Sequence, residues 1–337
     1  MTLTREHNLA VRPPTEANIP SILALIAADD IAHTGEADPW SADDIRSEWI
    51  GVDLDHDAWI IETADGQVVG YAMLFYRATD GNIERFHLDS YVHPAFTGRG
   101  IGTDLLRRLE ARARELVTDT PSDRSVVLQS GTIAHDTAAR RLLESRGYNL
   151  VRHFWRMRID MTGAPPTPRW PEGITVRECV AGQDERVFFD TLEEAFQDHW
   201  GHTPHEYGEW LKHNVKTASF DPSLWFLALD GMEPAGALRG KQMADGSGWV
   251  NTLGVRRPWR KRGLGRALLL QAFDTFYRRG VSSVALGVDA QNPTGATHVY
   301  EAAGMRIVRE FAIYEKQLRA GAAPASESER STQETIS

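Results

Sequence analysis

The sequence predicts an α/β fold, an α+β mixed sheet with helices packed on it, built twice in tandem. Two observations carry this expectation. The first is a strand, a tight basic glycine loop and a helix in that order. Trp249–Val255 is β-like, Arg260-Lys261-Arg262-Gly263-Leu264-Gly265 forms the loop, and a helical run extends from Arg266 to Arg279. The second is that the chain repeats the arrangement. Leu88–Val92 is followed by Thr97-Gly98-Arg99-Gly100-Ile101-Gly102 and by a helical run from Thr103 to Leu116. Glycines let the backbone approach an anion closely, and the first-turn N–H groups of the helix point at it. Successive backbone donors make a nest suited to a pyrophosphate. One Gly-x-Gly carries little weight, whereas a duplicated strand–loop–helix context carries much more.

The remaining elements follow in the same order in each half. A short strand opens each copy, Leu9–Arg12 and Ile174–Arg177, and a helical region comes next, from Ile19 to Asp29 and onward, and from Glu185 to His213. Two strands follow with Gly66 or Gly231 turning between them: Ala58–Thr63 and Val68–Tyr76, then Leu224–Leu229 and Pro234–Lys241. After the glycine loop and its helix come a strand (Ser125–Gln129 or Val281–Val288) and a helix (Thr137–Ser145 or Gly295–Ala303) that Gly147 or Gly304 ends. Each half is expected to close with its own last strand, Leu150–Ile159 or Ile307–Gln317. Gly100 and Gly263 stand 163 residues apart, and Gly147 and Gly304 stand 157 apart. The difference fits a longer loop near Thr118–Arg124 in the first copy. Between the copies, Met161–Gly173 holds four prolines and two glycines and reads as an extended linker. The expected domains are thus 1–160 and 174–318, joined by 161–173. A tail at 319–337, rich in Ala, Ser and Glu, is expected to be disordered.

Composition limits the function classes. The 337 residues are 42% hydrophobic and 25% charged, a globular balance. The net charge of −10 disfavours a general nucleic-acid binder, which would carry a basic face. A single cysteine, Cys179, allows no intrachain disulfide and no multi-thiolate metal site. The first residues lack an apolar targeting core and no stretch of about 18 apolar residues occurs. The expectation is a soluble cytoplasmic protein with no membrane or nucleic-acid partner and no metal.

Two stretches of the second half then carry a family resemblance. Arg260-Lys-Arg-Gly263-Leu-Gly265 fits an Arg/Gln-x-x-Gly-x-Gly/Ala loop, and Asn292 precedes a helix whose Tyr300 stands four residues before Gly304-Met305. This pattern resembles the GNAT-superfamily N-acetyltransferases, over nearly all of the chain except linker and tail. The first half departs from it. Thr97 stands where Gln or Arg is preferred, His135-Asp136 replaces the Asn region, and Leu143 replaces the tyrosine. The resemblance therefore implies a catalytic second copy and a degenerate first one.

The resemblance implies acetyl-CoA as cosubstrate. Its pyrophosphate would lie on the backbone of Arg260, Lys261, Arg262, Gly263, Leu264, Gly265 and Arg266, with the arginines adding charge. Cations at a helix N-terminus oppose the macrodipole, so their placement makes most sense with an anion present. The other reading of this loop is a basic surface turn. Leu253, Gly254 and Val255 would pair through their backbone with the pantetheine arm, or are simply sheet core. Tyr300 would protonate the departing thiolate as general acid, or is an aromatic packed on the sheet. Asn292 is a pantetheine contact or a turn residue. In the first copy Val92, Arg99, Gly100 and Gly102 form a possible second cofactor site.

The base for the attacking amine has several candidates. The strand before the loop offers only Asn251. Asp198, His199 and His202, in the polar run Asp198–Glu206, are candidate acceptor-side or base residues, and Asp289 is another option; a solvated loop is the alternative. Phe188, Phe189, Phe196, Trp200, Tyr207 and Trp210 read mainly as core at helical spacing. The expected activity is acetyl transfer to the primary amine of a small molecule by direct attack in a ternary complex. The rival from another class is a non-catalytic acyl-CoA-binding or scaffold module.

Overall fold

The chain is described by a computed structural model covering residues 9–321 apart from 81–82, 119–120, 122, 198–201, 203, 218 and 293–294. Its elements in chain order are β1 (Ala10–Arg12), α1 (Ile19–Thr34), α2 (Ala42–Glu48), α3 (Leu54–Asp57), β2 (Ala58–Glu62), β3 (Val68–Asp80), β4 (Ile83–Val92), α4 (Ile101–Val117), β5 (Ser125–Ile133), α5 (Thr137–Ser145) and β6 (Asn149–Asp160). There follow β7 (Ile174–Glu178), α6 (Glu185–Phe196), α7 (Tyr207–Asn214), β8 (Trp225–Asp230), β9 (Glu233–Gln242), β10 (Gly248–Val255), α8 (Leu264–Arg278), β11 (Ser283–Asp289), α9 (Ala296–Ala302) and β12 (Arg306–Arg319).

Local sequence explains most of these. In α4 the residues Ile101, Leu105, Leu109 and Ala113 recur every four positions and are all buried, so one stripe packs on the sheet. In α8, Leu264, Leu268, Phe273 and Phe276, spaced three to five residues apart, form the buried stripe against β8, β9 and β10. Gly240 and Gly248 leave room for the Phe276 ring, since a Cβ on either would lie 3.2 or 3.0 Å from it. Both helices begin two residues earlier than the periodicity predicts, because Gly102 and Gly265 lie inside the first turn. The predicted helical region from Glu185 to His213 is two helices, α6 and α7.

The chain forms two compact units. In the first, the strand order is β1-β2-β3-β4-β5-β12, with β4 and β5 parallel. In the second, it is β6-β11-β10-β9-β8-β7, with β10 and β11 parallel and the other pairs antiparallel. Each unit is thus a mixed sheet with helices, as the sequence predicts.

The closing strands differ from expectation. The first unit takes the end of β12, from Ile313 onward, and the second takes β6 from Arg152 onward. Residues Ser283–Asp289 of β11 run antiparallel to Asp160–Phe154 of β6. In the first unit, Glu315 accepts from Gln129 Nε2 at 2.8 Å and Lys316 Nζ donates to Glu110 at 2.9 Å. The last strand of each half therefore closes the other half's sheet. Any strand can complete a ladder through backbone hydrogen bonds. The choice between two similar strands rests on such side-chain pairs, which lie 186 and 206 residues apart in sequence.

Residues 161–173 carry neither helix nor strand. Strand β12 runs to Arg319, whose guanidinium donates to the carbonyls of Arg124 and Val117. The predicted tail beyond residue 321 lies outside the described residues.

Candidate active site

Strand β10 is where the second unit opens. It pairs with β11 only at Gly248, Trp249 and Val250, although β10 continues to Val255 and β11 to Asp289. On its other edge β10 stays paired with β9, through a register shift between Val250 and Thr252. Such a bulge bends the strand and sharpens its twist, which carries Thr252–Val255 away from β11. The ladder to β11 ends there, leaving a wedge along the backbone of Leu253, Gly254 and Val255.

Gly254 lets α6 sit directly on this strand. A Cβ there would lie 2.9 Å from both Ala195 Cβ and Leu192 Cδ2. Gly236 on β9 is equally constrained, since its Cβ would meet the Gly254 carbonyl at 2.7 Å. The first unit is built differently at the matching cross-strand pair. Ala237 faces Gly254 in the second unit, whereas Tyr71 faces Tyr91 in the first, with rings stacked 6.5 Å apart. Tyr71 Oη also accepts from Trp49 Nε1 at 2.9 Å. Aromatic bulk occupies ground that the second unit keeps small.

The glycine loops of the two units share one backbone. Gly263 has φ +84° and Lys261 φ +60°, the only positive φ of a non-glycine among the described residues. The matching Gly98 and Gly100 have φ +74° and +80°. A left-handed lysine costs about 1 kcal/mol or more, and such strain clusters at ligand sites. Helix α8 makes its first internal bond from Ala267 N to Gly263 O, and no side chain caps it. The N–H groups of Leu264, Gly265 and Arg266 therefore head the helix without helical partners, a fit for a phosphate.

The basic side chains divide. Arg260 donates from Nε to Val255 O (3.0 Å) and from Nη2 to Ala195 O (2.9 Å), so it clamps the end of β10 to the end of α6. This departs from the expectation that it adds charge at the anion, because two carbonyls hold the guanidinium. Arg266 donates to Ala302 O at 3.1 Å and ties α8 to α9. Lys261 and Arg262 are exposed, with Arg262 3.4 Å from Glu172 O. In the first unit Arg99 is exposed and lies over the Phe96 ring.

Tyr300 lies in α9 and is 8% exposed. Among the described residues no group hydrogen-bonds its hydroxyl. Burial pushes the phenol up to about 12, so it stays protonated at neutral pH. Leu143 is buried at the matching place in the first unit. Asn292 sits in the turn after β11, its N–H donating to Asp289 O.

The base options sort further. Asp289 is held by Arg152 in a bidentate pair of 2.7–3.1 Å and also accepts from Gln291 N. That structural engagement makes it a poor base, contrary to its place among the options. Asp198, His199 and Trp200 lie outside the described residues. His202 is described, and its Nε2 lies 3.5 Å from Glu193 Oε2, while His205 Nδ1 lies 2.7 Å from Glu193 Oε1. Sequence reasoning missed Glu193, because nothing in its helical spacing marks a carboxylate shared by two histidines. Phe188, Phe189 and Trp210 are buried core. Cys179 is buried too, and burial pushes its thiol up to about 12, leaving no thiolate nucleophile. Among the described residues there is no group of three metal-ligating side chains and no helix long and apolar enough to cross a membrane.

A splayed parallel strand pair, a glycine-headed helix and a duplicated layout define a tandem acyltransferase fold, and comparison with known proteins agrees. The chain belongs to the acetyltransferase (GNAT) family, which it matches over residues 23–148 and 186–305. It is a tandem GNAT N-acetyltransferase with mycothiol acetyltransferases among its relatives. It is 36% identical to the mycothiol acetyltransferase of Thermobispora bispora over 63% of this chain and 70% of that one. It is 30% identical to that of Streptomyces avermitilis over 92% of each chain. A solved GCN5-related N-acetyltransferase from Sphaerobacter thermophilus superposes with a TM-score of 0.80 at 37% identity, covering 94% of this chain and 98% of that one.

Proposed function

We propose that this chain is a cytoplasmic enzyme that moves an acetyl group from acetyl-CoA to the primary amine of a small molecule, and that the second unit carries the chemistry. The observation that carries this reading is one continuous line in that unit: the wedge beside Leu253–Val255, the left-handed loop at Lys261 and Gly263, and the protonated Tyr300. The loop N–H groups fit a pyrophosphate, and the open edge of β10 fits a pantetheine arm as an added strand. Acetyl-CoA would supply the activated acyl carbon. The amine nitrogen attacks that carbon, backbone N–H groups of β10 stabilise the oxyanion, and the C–S bond breaks to a thiolate that Tyr300 meets with its proton. Glu193 with His202 is the described pair best suited to take the amine's proton, directly or through water.

In the first unit, Leu143 and the Tyr71–Tyr91 stack favour a non-catalytic role, while the loop at Val92, Arg99, Gly100 and Gly102 keeps a cofactor-binding backbone. The named relatives make a mycothiol-type acceptor one member of any amine panel. A strand carboxylate expected of such an enzyme is missing, with Trp249 and Asn251 in its vicinity.

The test is calorimetric titration of the full chain with acetyl-CoA, followed by thiol release with an amine panel. One site per chain, lost in Gly263→Glu, supports the reading. Two sites make the first unit a working binder. No binding at millimolar ligand overturns it, and binding without turnover on any amine favours the scaffold rival.

A further inference from the structure

Arg239 on β9 is a half-buried cation of the second unit that the proposed chemistry does not use. Its Nη2 donates to Thr252 Oγ1 at 2.9 Å and its Nη1 donates to Asn214 Oδ1 on α7. Its guanidinium carbon lies 5.1 Å from the Trp225 ring centre and 5.3 Å from that of Trp210. Its Nε is closed off from solvent and has no hydrogen-bond partner among the described residues. Both bonded partners are neutral, and among the described residues no carboxylate pairs with it. Burial alone pushes the guanidinium down to about 10.

A buried charge is ordinarily compensated by a counter-ion, because desolvation is expensive. The two indole faces offset part of that cost but carry no countercharge. A guanidinium is also built to take a carboxylate through paired N–H groups. The connection to the site is direct. Thr252 lies on β10 at the bulge, immediately before the Leu253–Val255 edge, and on the strand face that Gly254 presents to α6. The first unit carries Asp89 at this strand position, a carboxylate where the second unit has the hydroxyl that Arg239 holds.

We propose that Arg239 recognises a carboxylate on the acceptor, so that the amine acetylated here belongs to an amino-acid-like molecule and not to a simple polycation. The inference rests on the acetyltransferase reading and names its substrate class. An acceptor with a carboxylate supplies a countercharge that none of the described residues provides. A polyamine would set a second cation against Arg239.

The experiment compares matched pairs on the full chain loaded with CoA: phenylalanine against phenethylamine, and β-alanine against propylamine. Binding is read by calorimetry, and turnover by thiol release with acetyl-CoA. The carboxylate members are expected to bind about ten- to a hundredfold more tightly, the range for a charge-assisted contact. Arg239→Gln should erase that preference, and Arg239→Lys should restore part of it. Equal binding within each pair overturns the proposal, as does failure of every carboxylate member to bind. A loss in Arg239→Gln that is the same for both members shows a role in holding α7 only. If Arg239→Gln does not fold, the matched pairs on the native chain and Arg239→Lys still decide. Acetyl-CoA affinity and turnover on any amine report on the acetyltransferase reading separately, so the two can fail independently.

Discussion

Replacing Tyr300 by Phe isolates one atom of the proposed mechanism. The ring is 8% exposed and packs in the core, and phenylalanine keeps that packing. The hydroxyl has no partner among the described residues, so its removal orphans nothing. Stability should change by no more than a few tenths of a kcal/mol, since no bond is broken and no cavity of note is made. The catalytic cost follows from the phenol's acidity. At about 12, it lies some 3.5 units above an ordinary thiol near 8.5. Complete proton transfer to the thiolate is then uphill by roughly 5 kcal/mol. The hydroxyl can still donate a hydrogen bond to the developing charge, worth about 1.5–3 kcal/mol. The expected loss in kcat is therefore about 10- to 150-fold, below the upper end for a general acid. Because the phenol stays protonated, the ratio of native to variant rates should be flat from pH 7 to about 10. The assay is thiol release at saturating acetyl-CoA, with affinity measured by calorimetry. A kcat within threefold of the native value, with affinity intact, would refute the proton-donor argument.

Other consequences follow from the same packing. Gly254→Val places a Cβ 2.9 Å from Ala195 and Leu192, so over-packing should cost about 1–3 kcal/mol in urea denaturation and weaken acetyl-CoA binding. Lys261→Gly relieves a left-handed side chain while loosening the unfolded chain. Stability should stay within about 1 kcal/mol, and acetyl-CoA affinity should persist if the backbone is the binding group; a large loss would assign the binding to the ammonium. Glu110 is fully buried; burial pushes its carboxyl up, but hydrogen bonds from Lys316 and Arg146 pull harder and leave it below 4.5. Its contribution is present above 4.5 and lost as pH falls through the folded value. Glu110→Gln should cost about 3 kcal/mol at pH 7 and much less at acid pH, with faster hydrogen exchange along Ile313–Arg319.

The repeated elements, the place of the two glycine loops and the candidate residues at Gly263, Asn292 and Tyr300 are legible in the amino-acid order. These are local properties. Strand alternation, helix periodicity and a need for positive φ are written within a few residues of where they act. The rest emerges only on folding, because it depends on partners far apart in the chain. Strands β6 and β12 read alike as strands, and only pairs such as Glu315 with Gln129 and Lys316 with Glu110 settle which sheet each closes. Arg260 looks like a phosphate ligand in sequence, yet the carbonyls of Val255 and Ala195 take its guanidinium once β10 and α6 meet. Asp289 looks like a base until Arg152 arrives from β6. Arg239 shows no motif at all. Its interest comes from being folded between two tryptophans and against Thr252, where a charge must find its counter-ion or do without one.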